Sequence, residues 1–166
     1  MNLLSDFVKN YREYTDYDDM RANFALNIPE NFNFAYDVID RYAERAPQKR
    51  AFVWCNDEGE EHTFTFAEIS RDSKKAAVFL QKHGIKKGDT VLLILRRRYE
   101  FWWLLPALHR IGAIAVPATN QLLKSDIVYR CNSAEIKMII SFDDSHILQE
   151  IPLVAEQETK KANFWL

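Results

Sequence analysis

Three short apolar runs, separated by segments with helical spacing, constrain the fold more than any other feature of this sequence. The first, V-L-L-I-L at residues 91–95, is apolar at every position, which is typical of a strand buried on both faces of a parallel sheet. The runs I-A-V at 114–116 and K-M-I-I-S at 137–141 follow it, and the spacing predicts helices over about 99–111 and 125–132 between them. Strands that alternate with helices form successive βαβ units. The sequence therefore predicts an α/β fold with an open, largely parallel sheet and packed crossover helices.

A β-hairpin is expected ahead of this sheet. The strand pattern A-F-V-W-C at 51–55 is followed by the turn N-D-E-G-E and by the alternating run H-T-F-T-F. Thr65 and Glu68 have the spacing of a capping box, and the helix that they begin should end at Gly84.

The first part of the chain reads as a leader. Apolar spacing from Leu4 to Tyr11 predicts one helix-like stretch, and a second short helix is expected near 35–45, before Pro47. We therefore expect two parts, a helical leader and loop over 1–46 and an α/β subdomain over 47–166. The segment 144–151 looks like one more helix.

Composition excludes several classes of function. The chain has 166 residues, is 48% hydrophobic and carries a formal net charge of -2, which is the profile of one soluble globular domain with no general attraction to nucleic acid. Cys55 and Cys131 lie in apolar stretches and read as buried thiols of a reducing compartment. No window of about 18 apolar residues predicts a membrane span, and a cytoplasmic location is expected.

Two clusters near the end of the first apolar run are candidates for binding. Arg96, Arg97 and Arg98 stand at the carboxyl end of a strand, where open α/β sheets bind ligands, so an anion contact is sensible. The favoured interpretation is that they solubilise the strand end and pair with acids. Trp102 and Trp103 begin the next helix and are interpreted as core packing rather than a cofactor box, and Pro106 should kink this helix or be tolerated near its first turns.

Local motifs for catalysis or metal binding are missing. The four histidines lie one per element, no G-x-S-x-G sequence occurs, and neither cysteine lies near a second cysteine or a histidine at ligand spacing. No catalytic residue and no metal ligand is assigned.

The turn Thr119-Asn120-Gln121 follows the second apolar run and precedes a helix that Ser125 could cap. Its place at the carboxyl edge makes it a candidate ligand-facing loop. An equally good interpretation is that Thr119 and Gln121 satisfy backbone groups of the loop.

Six segments extend through most of the chain in a fixed order and spacing. They are F-N-F-A-Y-D-V-I-D, T-F-T-F-A-E-I, K-K-G-D-T-V-L-L-I-L, the Glu-x-Trp-Trp helix start, G-A-I-A-V-P-A-T-N-Q-L and K-S-D-I-V-Y-R-C-N-S-A-E-I-K-M-I-I. In this order and spacing they resemble the amino-terminal region of medium-chain acyl-CoA synthetases of the AMP-forming adenylating superfamily.

This resemblance implies a two-step ligase reaction. A carboxylate attacks the α-phosphorus of ATP-Mg²⁺ to give an acyl-adenylate and pyrophosphate, and the thiol of coenzyme A then displaces AMP. In such enzymes the glutamine of the loop after the strand contacts coenzyme A, and the matching position is Gln121.

The resemblance also implies what this chain lacks. The family's phosphate loop, adenine-binding segment, ribose-binding aspartate and catalytic lysine all belong to sequence downstream of residue 166, so we expect a fragment that is inactive alone, binds no cofactor and self-associates through exposed core surfaces. The alternative is a stand-alone module of the same fold that binds coenzyme A or a protein. Ala118, where relatives commonly have glycine, and the run Arg97-Arg98-Tyr99, where they usually have proline before the glutamate, depart from the family pattern.

Overall fold

The central sheet has four parallel strands. The computed structural model describes residues 4–142, 146, 149–150 and 163–165. The strands stand side by side in the order β6 (Ile114–Pro117), β5 (Thr90–Ile94), β7 (Ile136–Ser141) and β8 (Asn163–Trp165), with every neighbouring pair parallel. The predicted parallel sheet is therefore confirmed for three strands, and β8 is an addition that no pattern in the sequence had indicated.

Helices cover both faces of the sheet. On one face lie α4 (Phe66–Lys82) and α5 (Phe101–Ile111), and on the other lies α6 (Lys124–Ser133). All five residues of β5 are buried, and successive side chains of a strand point to opposite faces. Accordingly, Val91 and Leu93 pack with α4 and α5, whereas Leu92 and Ile94 pack with α6. This alternation is why the run V-L-L-I-L has no polar position.

The β-hairpin forms as its sequence predicts. Strands β3 (Arg50–Cys55) and β4 (Glu61–Thr65) pair antiparallel, and α4 begins at the next residue. The Glu68 N–H donates to Thr65 Oγ1 at 3.3 Å, and the Thr65 N–H donates to Glu68 Oε2 at 2.8 Å, which confirms the capping box. The prediction that both cysteines are buried is wrong for Cys55, which is exposed at the end of β3 because the hairpin is a separate two-stranded sheet; Cys131 is buried.

The leader is less helical than its apolar spacing predicts. Helix α1 (Leu4–Phe7) stops after four residues, and β1 (Val8–Lys9) follows it. After α2 (Tyr17–Asn23), strand β2 (Ala25–Leu26) pairs antiparallel with β1. The chain therefore reverses on itself where one helix had been expected.

The helix expected near 35–45 is present. Its first turns, Ala35–Asp40, are π-helical and continue into α3 (Arg41–Arg45). Helix α5 runs through Pro106 without interruption, and the segment predicted as a helix over 144–151 lies mostly outside the described residues. None of the described helices is both long and apolar enough to cross a bilayer.

A buried ion pair joins this helical segment to α4 and α5. The Arg110 guanidinium donates to both Asp40 carboxylate oxygens, at 2.6 and 2.7 Å. Arg110 also donates to Ser73 Oγ at 3.0 Å, and Ser70 Oγ donates to Asp40 at 2.6 Å. Burial opposes ionisation of Asp40, but the hydrogen bonds from Arg110 and Ser70 outweigh it and hold the pKa of Asp40 below its usual value.

Candidate functional site at the carboxyl edge of the sheet

Parallel strands bring their following loops to one edge. Leu93 of β5 is in register with Pro117 of β6, and Ile94 is in register with Ser141 of β7. The turn that contains the three arginines and the loop that contains Gln121 therefore leave the sheet side by side. Loops at this edge form the ligand sites of open α/β sheets.

The loop after β6 is held by backbone and hydroxyl groups. The Ala118 N–H donates to Leu93 O at 2.8 Å, and Leu122 is buried, so both ends of the loop are fixed on the sheet. Between them, Thr119 Oγ1 accepts the Gln121 N–H at 3.3 Å. Thr119 therefore has the bracing role that was one of its two interpretations.

The side chain of Gln121 does not share this role. It is exposed, and no hydrogen bond joins its amide to any of the described residues. An exposed amide offers two donor hydrogens and one acceptor oxygen to a ligand. Its contact with coenzyme A stays a prediction.

Helix α6 begins one residue earlier than expected, so Ser125 is not its cap. The N-cap position is Leu123, whose N–H donates to Asp126 Oδ2 at 3.1 Å. The next N–H, of Lys124, donates to Glu150 Oε2 at 2.6 Å. Two carboxylates thus satisfy the first donors of the helix, and a serine hydroxyl is not needed.

The arginine turn is built on backbone hydrogen bonds and one salt bridge. The Arg98 N–H donates to Leu95 O at 2.9 Å, which closes the turn. The Arg98 guanidinium donates to both carboxylate oxygens of Glu100, at 2.6 and 3.1 Å, and this bonding raises the pKa of Arg98. Pairing with an acid, the favoured interpretation, is confirmed for Arg98.

Trp54 of the hairpin positions the same turn, which sequence reasoning missed. Its indole Nε1–H donates to Arg97 O at 2.7 Å across 43 positions of sequence. The Trp54 ring also meets the Tyr99 ring edge-on, with centroids 5.1 Å apart. No periodic pattern links a hairpin residue to a turn so far along the chain, and only the strand character of A-F-V-W-C indicated that Trp54 lies in a sheet.

The two tryptophans of α5 have different environments. Trp103 packs against Phe64 and Tyr99, with ring centroids 5.8 and 5.4 Å apart, so the packing interpretation is confirmed for it. Trp102 is 52% exposed and touches Phe52, so it is not a core residue. The core contribution of this helix comes from residues such as Leu108, which is fully buried.

A cavity of about 420 Å³ opens between the ends of β5 and β6. Arg96, Arg97 and Arg98 line one side of it. The other walls are apolar and include Phe101, Trp102, Pro117 and Ala118. The cavity therefore combines cationic groups with an apolar surface, which suits binding rather than acid–base catalysis.

Neither a metal-ligand cluster nor an activated thiol at Cys131 is found in the described part of the chain. No three His, Cys, Asp or Glu side chains there lie together as metal ligands would. Burial raises the pKa of the Cys131 thiol, which leaves it protonated and a weak nucleophile.

Comparison with known proteins identifies the family. The model of the AMP-binding enzyme family matches residues 39–164. The chain belongs to the AMP-binding enzyme family. Human acyl-coenzyme A synthetase ACSM3, mitochondrial, is 38% identical over 138 residues, which are 80% of this chain and 24% of that protein. Rat acyl-coenzyme A synthetase ACSM5, mitochondrial, is 38% identical over 122 residues, which are 70% of this chain and 21% of that protein.

Solved structures agree on the fold. The Mycobacterium tuberculosis fatty acyl CoA synthetase superposes with a TM-score of 0.70 at 22% identity, covering 81% of this chain and 26% of that one. The benzoate CoA ligase from Burkholderia xenovorans LB400 superposes with a TM-score of 0.66 at 20% identity, covering 80% of this chain and 25% of that one. The chain therefore spans about a quarter of the length of the family members that it matches.

Proposed function

We propose that this chain forms the amino-terminal part of an AMP-forming acyl-CoA synthetase of the medium-chain type. The reaction converts a carboxylate, ATP and coenzyme A into acyl-CoA, AMP and pyrophosphate. The observation that carries the proposal is the 38% identity to human ACSM3 over 80% of this chain. The alternative, a stand-alone binding module, is not favoured because the relatives above are named as synthetases.

Within such an enzyme, the chain would supply the sheet scaffold and one wall of the coenzyme A site. The parallel sheet fixes the loop after β6, and Thr119 braces it at the Gln121 N–H. The amide of Gln121 is then free to donate to or accept from the pantetheine or nucleotide of coenzyme A. Because Thr119 holds the backbone N–H and the side-chain amide has no partner among the described residues, Gln121 is our candidate contact in the second half-reaction.

ATP and Mg²⁺ belong to other parts of the full-length protein in this proposal. The described residues contain no cluster of three potential metal ligands, and no Gly-rich phosphate loop occurs among the four glycines of the sequence. Phosphoryl and adenylyl chemistry depends on positioned cations and hydrogen-bond donors. We therefore expect the 166-residue chain to form no thioester by itself. In this proposal residues 1–46 act as a leader and residues 47–166 act as a subdomain.

The test substitutes Gln121 by Ala in the full-length protein. The change removes one neutral hydrogen bond, of about 0.5–1.5 kcal/mol, so the KM for coenzyme A should rise roughly 2- to 12-fold. Carboxylate-dependent exchange of pyrophosphate into ATP, which reports only the first half-reaction, should stay nearly unchanged.

Thr119→Val is the matched control in the same loop. It removes the brace on the Gln121 N–H and should affect both half-reactions together through the loop conformation. Loss of pyrophosphate exchange in Gln121→Ala, in parallel with thioester synthesis, would contradict the assignment of Gln121 to coenzyme A. Thioester formation by the purified 166-residue chain would contradict the division of the enzyme.

Two further proposals concern partners and location. We propose a cytoplasmic location, which suits the exposed free thiol of Cys55 because that compartment keeps thiols reduced. The relatives above are named mitochondrial, so fluorescence imaging of the tagged full-length protein against a mitochondrial marker decides between the two compartments. The small-molecule partners are the carboxylate, ATP and coenzyme A; no role in nucleic-acid binding is proposed, since the net charge is -2.

A further inference from the structure

Helix α2 of the leader carries an apolar stripe that is exposed along its whole length. Tyr17, Met20 and the C-cap residue Phe24 have the spacing i, i+3 and i+7, which places them on one face of the helix. They are 73%, 44% and 42% exposed, and none of the seven residues of α2, which are all described, is buried. So short a helix has little stability of its own in water, and an apolar stripe with this spacing is typical of a helix that docks in a groove.

An apolar groove of about 360 Å³ lies on another part of the surface, where α4 and α5 meet. Ala76 and Phe79 of α4 and Trp103 of α5 form its apolar lining. Phe79 is exposed, although the opposite face of α4, with Leu80, is packed in the core. The groove therefore offers aromatic and hydrocarbon surface to a partner.

The rim of this groove is basic. Arg71, Lys75 and Lys82 recur along α4 at intervals of four and seven residues, which places them on one side of the helix. Phe79 lies within one turn of both lysines. Asp72 pairs with Arg71 at 2.8 Å and with Lys75 at 3.5 Å, so two cations share one carboxylate. No acid among the described residues lies within salt-bridge distance of Lys82, and the rim keeps a net positive charge.

The charge around α2 has the opposite sign. Residues 13–21, E-Y-T-D-Y-D-D-M-R, hold four acids and one arginine. Asp19 is held by Arg12 within the leader, whereas the carboxylates of Glu13 and Asp18 form no ion pair with any described residue. The chain thus contains an acidic helix with an apolar stripe and a basic groove with an apolar lining. Complementary charges of this kind steer association and fix its register.

We propose that α2 of one copy of this chain docks in the groove between α4 and α5 of a second copy. Tyr17 and Met20 pack on the aromatic lining of the groove, and the free acids of the leader face its basic rim. Two reciprocal contacts close a symmetric dimer. The exposure of Tyr17 shows that α2 does not occupy the groove of its own molecule. Gln121 and the cavity at the carboxyl edge take no part, so the contact does not depend on the proposed function.

The test follows the oligomeric state of the 166-residue chain together with the environment of Trp103. Sedimentation velocity should show an equilibrium between monomer and dimer. In the chain labelled with ¹⁵N at tryptophan, the indole N–H signal of Trp103 should shift with the same dependence on concentration. The signal of Trp102, which lines the cavity at the carboxyl edge instead, should not shift. Substituting each tryptophan by Phe assigns its signal.

Removing the two anchors tests the apolar part of the contact. Tyr17→Ser/Met20→Ser should weaken dimerisation at least about tenfold, because less apolar surface leaves water on association. Neither side chain is buried in the monomer, so the melting temperature of the dilute, monomeric variant should not fall. Tyr129→Ser is the matched control: Tyr129 is 69% exposed on α6, at the other face of the sheet, and its loss should leave the dimer unchanged.

Charge reversal tests which two surfaces meet. Glu13→Lys/Asp18→Lys and Lys75→Glu/Lys82→Glu should each dimerise at least about tenfold more weakly, because like charges then face each other. In a heterodimer of these two variants, both reciprocal contacts again join opposite charges. An equimolar mixture should therefore dimerise to within about threefold as tightly as the unaltered chain.

Three outcomes would overturn the proposal. The first is a chain that stays monomeric at all measurable concentrations. The second is a dimer in which the Trp103 signal does not shift, since the copies would then meet at another surface. The third is a mixture of the two charge-reversed variants that dimerises no more tightly than either variant alone, which would show that α2 and the groove do not face each other.

Discussion

The buried pair of Asp40 and Arg110 should be the most sensitive polar contact in the chain. The side chain of Arg110 is 3% exposed and that of Asp40 is 14% exposed, so the Arg110 guanidinium cannot be solvated if the Asp40 charge is removed. Asp40 has a second cation, since Lys74 Nζ lies 3.6 Å from its Oδ1. Breaking a buried pair from one side typically costs about 3–5 kcal/mol. We expect Asp40→Asn to lower the free energy of unfolding by about 3 kcal/mol, since Ser73 still accepts one hydrogen bond from Arg110.

The reverse comparison tests the same physics. The double variant Asp40→Leu/Arg110→Met removes both charges and should lose less stability than Asp40→Asn alone, because no buried charge is left uncompensated. Asp19→Asn is the matched control: Asp19 also takes two hydrogen bonds from one arginine, Arg12, but Arg12 is 43% exposed and the loss should be much smaller.

Chemical denaturation of the chain, followed by circular dichroism, measures these differences. A loss below about 1 kcal/mol for Asp40→Asn, or additive effects at the two positions, would refute the reasoning. The pH dependence is a second readout. Because the pKa of Asp40 is lower in the folded state, its contribution is complete above its unfolded pKa of about 4 and is lost as the pH falls through the folded value. Asp40→Asn should therefore flatten the acid side of the stability profile.

Two other predictions concern the fold and its surface. Gly112→Ala should lower the free energy of unfolding by about 1–2 kcal/mol because of its φ of 69°, and further because the new Cβ would lie 2.9 Å from Lys87 Cγ. Gly84→Ala is the control, since its φ is 86° but its surroundings are open. Thermal melts should show only the backbone cost for Gly84→Ala. The 166-residue chain should self-associate, because Leu26 and Ile28 in the leader are 54% and 48% exposed. The variant Leu26→Ser/Ile28→Ser should associate less. Light scattering that gives a monomer at all concentrations would contradict this prediction.

The parts of the fold that the sequence predicts are those with local signals. The run V-L-L-I-L, the hairpin alternation and the Thr65–Glu68 capping box each lie within a few residues, and each is found where expected. The helix prediction for the leader is wrong beyond Phe7. Apolar spacing over Leu4–Tyr11 fits a helix, but the chain continues after Phe7 as a strand because it pairs with Ala25–Leu26. A tertiary contact there overrides the local pattern.

Contacts between distant positions carry no such signal. Asp40 and Arg110 are 70 positions apart, and Asp40 looked like any exposed acid of an amphipathic helix. The same holds for Trp54 and Arg97, which meet only because the hairpin folds back over the turn after β5. Burial of a charge is decided by packing, so the sequence does not distinguish a buried ion pair from two solvated charges.

The same limit applies to the candidate site, where some polar side chains form bonds within the chain and others do not. Thr119 and Arg98 use their polar groups within the chain, on the Gln121 N–H and on Glu100. The side chains of Gln121, Arg96 and Arg97 find no such partners among the described residues. Exposed polar groups without a partner in the chain are solvated by water and can also bind a ligand, so ligand binding has to be tested at each of them. Only the folded structure separates the arginine that has an acidic partner from those that do not, because Arg96, Arg97 and Arg98 are indistinguishable in the sequence.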